Sequence, residues 1–156
     1  MLGRALSRGR LHHALLLVGP KGIGKHRLAT SLGAALLCEV SPGRGCGQCD
    51  DCRRVLSGRH TDVVELRGEG KSQTIKVGAA RDIIASTQQA PYEGRAHLVI
   101  VDPADRLVDA AANALLKTFE EPRPGVHYAL IAQNLGDVID TVISRCTVLQ
   151  LGAHDD

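Results

Sequence analysis

Short apolar runs alternate along this chain with longer stretches in which apolar residues recur every three or four positions. The runs Ala14–Val18, Val63–Leu66, His97–Val101, Tyr128–Ala132 and Thr147–Leu151 are too short for ordinary helices and read as buried strands. Leu28, Leu32, Ala35 and Leu36, after Lys25, mark one helical face. Val77, Ala80, Ile84 and Thr87 mark a second, broken by Pro91 and Gly94. Val108, Ala111, Leu115, Leu116 and Phe119 mark a third, ended by Pro122, Pro124 and Gly125. Residues 38–52 are rich in Gly and polar side chains and read as an inserted loop, with a short helix starting near Cys52. Gly68–Ser72 reads as a polar turn and Val138–Val142 as a short helical turn. Strands that alternate with helices predict an α/β fold: a mostly parallel sheet with helices on both faces.

Composition narrows the function classes. A length of 156 residues fits one domain, and 44% apolar content fits a globular chain. Aromatics are 2%, with no Trp, so the core must come from Leu, Val, Ile and Ala. A net charge of +2 predicts no strong non-specific grip on nucleic acid. No run of 18 apolar residues exists, which excludes a helical membrane span. Arg4, Arg8 and Arg10 lead into no long apolar stretch, so no signal peptide is read and a cytoplasmic location is expected. There, five cysteines are expected as thiols or metal ligands rather than disulfides.

The segment Gly19-Pro20-Lys21-Gly22-Ile23-Gly24-Lys25 has the spacing of a Walker A phosphate loop, with a strand before it and a helix after it. Gly19, Gly22 and Gly24 allow backbone N–H groups to converge on phosphate oxygens, and Lys25 adds a point charge. The next position calls for a Ser or Thr hydroxyl on Mg²⁺. It is His26, and imidazole is a poor ligand for a hard, oxygen-seeking cation. Leu98–Asp102 matches a Walker B strand, placing Asp102 where it could reach the metal through water. The following position, which orients the attacking water in such ATPases, is Pro103. Asp105 is expected to point elsewhere. These two substitutions argue against hydrolysis by this chain, and the sequence leaves open whether ATP binds.

Cys38, Cys46, Cys49 and Cys52 form C-x7-C-x2-C-x2-C, within a glycine-rich stretch that can wrap a metal. Four thiolates suit a closed, structural Zn²⁺ site, and free thiols are the alternative. Cys146 reads as a small buried residue. None of His12, His13, His60 or His97 has a ligand-like partner at i+4, so no chemistry is assigned to them.

Taken together, the phosphate loop, the four-cysteine insertion after it, the run Asn113–Pro122 and Ser144-Arg145-Cys146 resemble the bacterial clamp-loader subunits, which are AAA+ proteins. The resemblance runs from about Arg10 to Leu151. It implies one AAA+ domain over 1–156 with a zinc module at about 38–57, and it places the family's lid and collar domains outside these residues. The family contains gamma/tau motors, with a Walker A threonine and a Walker B glutamate, and a delta-prime branch that acts as a stator. The stretch Val101–Leu107 and the two missing residues resemble the delta-prime branch. The resemblance implies that Arg145 is an arginine finger, acting in trans on the site of a neighbouring subunit. A surface arginine paired with a nearby carboxylate is the plainer reading. It also puts a nucleotide-sensing polar residue near Gln133-Asn134, with Asn134 the candidate. The implied partners are gamma/tau and delta subunits, the sliding clamp and, through the assembled complex, primer-template DNA. A gamma/tau-type motor is the alternative. Glu120 and Glu121 sit at a helix C-terminus, a poor place for acids on dipole grounds. A subunit contact is one reading of them, and a solvated helix end is the simpler one.

Overall fold

The computed structural model describes residues 12–92 and 95–152. Arg4, Arg8 and Arg10, part of the expected break at Pro91–Gly94, and the last four residues lie outside them. Five strands form one sheet: β1 (Ala14–Val18), β2 (Val63–Arg67), β3 (His97–Asp102), β4 (Val126–Ala132) and β5 (Thr147–Gln150). Their order is β2-β3-β4-β1-β5, and every neighbouring pair is parallel. The five expected strands are thus present, with edges shifted by up to two residues. β4 gains Val126 and His127, and β3 takes in Asp102.

The pleat sends alternate residues to opposite faces. Leu15 and Leu17 of β1 join Leu98, Ile100, Ala129 and Ile131 on one face, where α1 (Lys25–Leu37) lays down Ala29 and Leu32. Ala14, Leu16 and Val18 join Val99, Val101, Tyr128 and Leu130 on the other. That second face carries α3 (Val77–Thr87), α4 (Asp109–Glu120) and the single turn α5 (Asp140–Ile143). Phe119 of α4 meets Tyr128 of β4 edge to face, with ring centroids 5.0 Å apart. Leu115 is fully buried beside them.

α2 (Asp50–Leu56) begins two residues before the expected start, because the Cys49 sulfur accepts the N–H of Cys52 and caps the helix. Val108 stands just outside α4 as its N-cap. Two features had no sequence signal. A short 3₁₀ turn covers Ala104–Arg106, after a cis Asp102–Pro103 bond. Ile75, fully buried, bridges in parallel to Leu107 and ties the 68–74 turn to that segment.

Candidate functional site

Strand order creates the site. β1 and β3 flank β4, so the loops leaving their C-terminal ends converge at one edge of the sheet. Between them lies a cleft of about 830 Å³. It is lined by Lys21–Arg27 of the phosphate loop, by Asp102 at the end of β3 and Pro103 after it, and by Gln133 and Asn134 after β4. Of the expected nucleotide-site residues, Gly22, Gly24, Lys25, His26, Asp102 and Asn134 all line this one cavity. Gly19 is not among the lining residues.

Local backbone explains the glycines. Gly22 and Gly24 have φ of 85° and 104°, a left-handed region open to glycine at little cost, and Gly24 is the N-cap of α1. Gly19 is needed for space: a Cβ there would collide with the carbonyl oxygen of Leu151, just past β5. The Lys25 ammonium donates to the carbonyls of Gly19 and, at 2.9 Å, Pro20, so the loop's own backbone holds it beside the cleft.

His26 is held by a residue the sequence reading passed over. Its Nε2 lies 2.7 Å from Glu65 Oε1, and the other Glu65 oxygen accepts from Arg67 Nε at 2.6 Å. Burial alone would raise the Glu65 carboxyl. The hydrogen bonds from Arg67 and His26 outweigh it and hold the group below the usual glutamate range. The signal was present: Glu65 is a charged residue inside the apolar run Val63–Leu66. Asp102 is pushed up, first by burial and next by repulsion from Glu65, while the charges of His26 and Lys25 pull the other way.

Asp105 corrects an expectation. It lines the cleft instead of pointing away, and its Oδ2 accepts the Gln133 N–H at 3.3 Å. The turn Lys71–Gln73 also reaches the cleft, which polar composition alone did not reveal. Five basic side chains (Lys21, Lys25, Arg27, Lys71, Arg106) and three carboxylates (Asp102, Asp105, Asp137) line it. The surplus of positive charge suits a polyanion.

Arg145 is not among the residues lining this cleft. It follows α5, and its Nε and Nη2 donate to Glu120 Oε1 at 2.9 and 2.8 Å. Nη1 reaches Ser144 Oγ at 3.1 Å. The pairing expected of an ordinary surface arginine is therefore present, and it gives Glu120 a partner at the α4 C-terminus. The Arg145 side chain remains 38% exposed, open to further contact.

The four cysteines come together away from the cleft, with all sulfurs within 4.8 Å of one another. Tetrahedral zinc with Zn–S near 2.3 Å would set sulfurs about 3.8 Å apart, so the cluster fits a metal ion with little adjustment. Backbone N–H groups already aim at the sulfurs: Ser41 and Cys46 at Cys38, Cys49 at Cys46, and Cys52 at Cys49, at 3.1–3.4 Å. Burial raises the Cys38 thiol, but the N–H groups of Ser41 and Cys46 overcome it and bring it down to about 6. Burial pushes Cys52 up to about 12. The left-handed turns at Gly43, Gly45 and Gly47 let the chain wrap the cluster. Cys146 packs on the core, and burial raises its thiol to about 12, as fits an inert residue.

Comparison with known proteins follows the same lines. The chain is 38% identical over 155 residues to the tau subunit of DNA polymerase III from Escherichia coli, covering 99% of this chain and 24% of that protein. It is 37% identical to the delta-prime subunit from the same organism, covering 88% and 42%, and 35% identical to that of Haemophilus influenzae, covering 99% and 47%. It thus spans less than half the length of these relatives. Among solved structures, a gamma-subunit-related protein of Thermotoga maritima matches with a TM-score of 0.65 at 19% identity, over the whole of this chain and 47% of that one. The RuvB branch-migration motor of the same organism matches at 0.55 and 19%, over 97% and 41%. These two show a shared AAA+-like fold. A family model described as DNA polymerase III, delta subunit, covers residues 1–155, and the chain belongs to that family.

Proposed function

We propose that this chain is the AAA+ domain of a clamp-loader subunit that acts as a stator. On this reading it does not hydrolyse ATP, and it supplies Arg145 in trans to the site of a neighbouring gamma/tau subunit. The single observation that carries the reading is the separation of Arg145 from the chain's own phosphate cleft. A guanidinium that cannot serve its own site is free to meet a neighbour's. There it would neutralise charge building on the γ-phosphate as the bond breaks. To engage, it must exchange Glu120 for phosphate. A half-exposed ion pair is worth only about 0–1 kcal/mol, so the exchange costs little. Pro103, with no side-chain acceptor, supports the absence of turnover here.

The partners on this reading are gamma/tau and delta subunits, the sliding clamp and primer-template DNA, in the cytoplasm. The metal fitted to Cys38, Cys46, Cys49 and Cys52 is zinc. With four sulfurs it has no open position, so it braces α1 against α2 and takes no part in catalysis.

A motor of the gamma/tau type is the second reading, favoured by the 38% identity to a tau subunit. One experiment separates the two. Steady-state ATP hydrolysis is measured in the loader assembled from the full-length protein, its motor subunits, clamp and primed DNA. Arg145→Ala should cut turnover at the site it reaches by about 10³-fold or more, while Lys25→Ala leaves the rate unchanged. A large loss with Lys25→Ala would make this chain a motor.

A further inference from the structure

Glu120 stands where a helix tolerates an acid worst, at the C-terminal end of α4, whose own carbonyls already gather negative charge there. Among the described residues its carboxylate meets Arg145 and nothing else. Both Nε and Nη2 of Arg145 converge on one of its oxygens, Oε1, at 2.9 and 2.8 Å. Nη1 turns to Ser144 Oγ at 3.1 Å and to the Thr141 carbonyl at 3.4 Å. All three nitrogens of the guanidinium therefore face oxygens of this chain. Phosphate presents the same kind of acceptor as carboxylate, so an incoming phosphate competes for the edge that Glu120 holds. The Arg145 and Glu120 side chains are 38% and 52% exposed, which leaves that edge within reach of a ligand from outside.

We propose that Glu120 is an internal competitor for Arg145. Its carboxylate occupies the guanidinium while no phosphate is offered, and yields it to the terminal phosphate of a nucleoside triphosphate on a neighbouring subunit. This adds a control to the contact given to Arg145 above, and it rests on that reading. The competition costs affinity only where the exchange takes place. A neighbour carrying a triphosphate must displace Glu120. A neighbour carrying a diphosphate offers nothing at that position and leaves the pair closed. Glu120 thus softens the grip on the triphosphate form and takes Arg145 back once the terminal phosphate has gone.

The test titrates the full-length protein against a full-length gamma/tau subunit, loaded once with a non-hydrolysable ATP analogue and once with ADP. Glu120→Gln keeps the size and an acceptor oxygen but gives up the charge. It should tighten association with the analogue-loaded subunit by about two- to fivefold and leave the ADP form unchanged. Glu121→Gln removes the same charge one residue on, from a carboxylate that is not among the partners of Arg145, and should move neither affinity. In an Arg145→Ala background, Glu120→Gln should have no effect. The competitor is overturned if Glu120→Gln leaves the analogue affinity where it was, or tightens the ADP form as much. It is overturned too if Glu121→Gln acts alike or if the effect survives Arg145→Ala. Arg145→Ala alone judges the underlying reading. It should weaken association with the analogue-loaded subunit, and an unchanged affinity would overturn the role in trans and the competitor with it.

Discussion

Asp102 is placed at a cost to the fold. Burial raises its carboxyl above the usual aspartate range, so folding disfavours its charged form. A raised group contributes its stability fully at pH below its unfolded value and loses it as pH rises through the folded value. Asp102→Asn should therefore raise the melting temperature at pH 7, with the gain shrinking as pH falls through the raised folded value and gone once pH is below the ordinary aspartate range. Thermal melts from pH 7 to pH 3 measure this, and an unchanged gain across that range would refute the account. Gly19 makes the opposite case. Gly19→Ala drives a methyl into the Leu151 carbonyl, and the loop or β5 must move. The expected cost is about 1–3 kcal/mol in a urea-unfolding midpoint. Glu120→Gln, by contrast, removes one partner of an exposed pair and should change stability by less than about 1 kcal/mol.

Among the elements, the cysteine module and α4 hold by different means. The module has few apolar side chains. Cys38, Cys52 and Val55 form its small core against Ala34 and Leu37 of α1. On the proposed reading a bound metal supplies much of its stability. Elemental analysis should find one zinc per chain, and a strong chelator should expose the amides of Cys46, Cys49 and Cys52 to hydrogen exchange. Those three donate to sulfur. The sheet amides of β1, β3 and β4 should stay protected. α4 relies on packing alone. Leu115→Ala would open a cavity at a fully buried position and cost about 2–5 kcal/mol, read from the unfolding transition of this domain in the full-length protein.

At the scale of the whole molecule, the three chemically distinct parts lie apart. The cleft draws on the C-terminal ends of β1, β3 and β4, the cysteine module hangs from the end of α1, and Arg145 follows α5. On the proposed reading, a subunit so arranged presents Arg145 to one neighbour and keeps its own cleft for another use. The family shown by the comparisons agrees with an assembly role, and the assembled loader is where that role is to be measured.

Periodicity alone determined most of the architecture. A run such as Leu98–Val101, apolar at every position, suits only a strand covered on both faces, and the helical spacing of Ala111, Leu115 and Phe119 suits only one packed flank. The phosphate loop and the cysteine cluster were legible because each chemistry needs its residues close in sequence. What tertiary structure decided were encounters between distant segments. Glu65 meets His26 across 39 positions, Glu120 meets Arg145 across 25, and Gln133 meets Asp105 across 28. No local pattern encodes such pairs. They follow from strand order, which places β2, β3, β4 and β1 side by side although the chain visits them far apart, and from the helices packed on those strands.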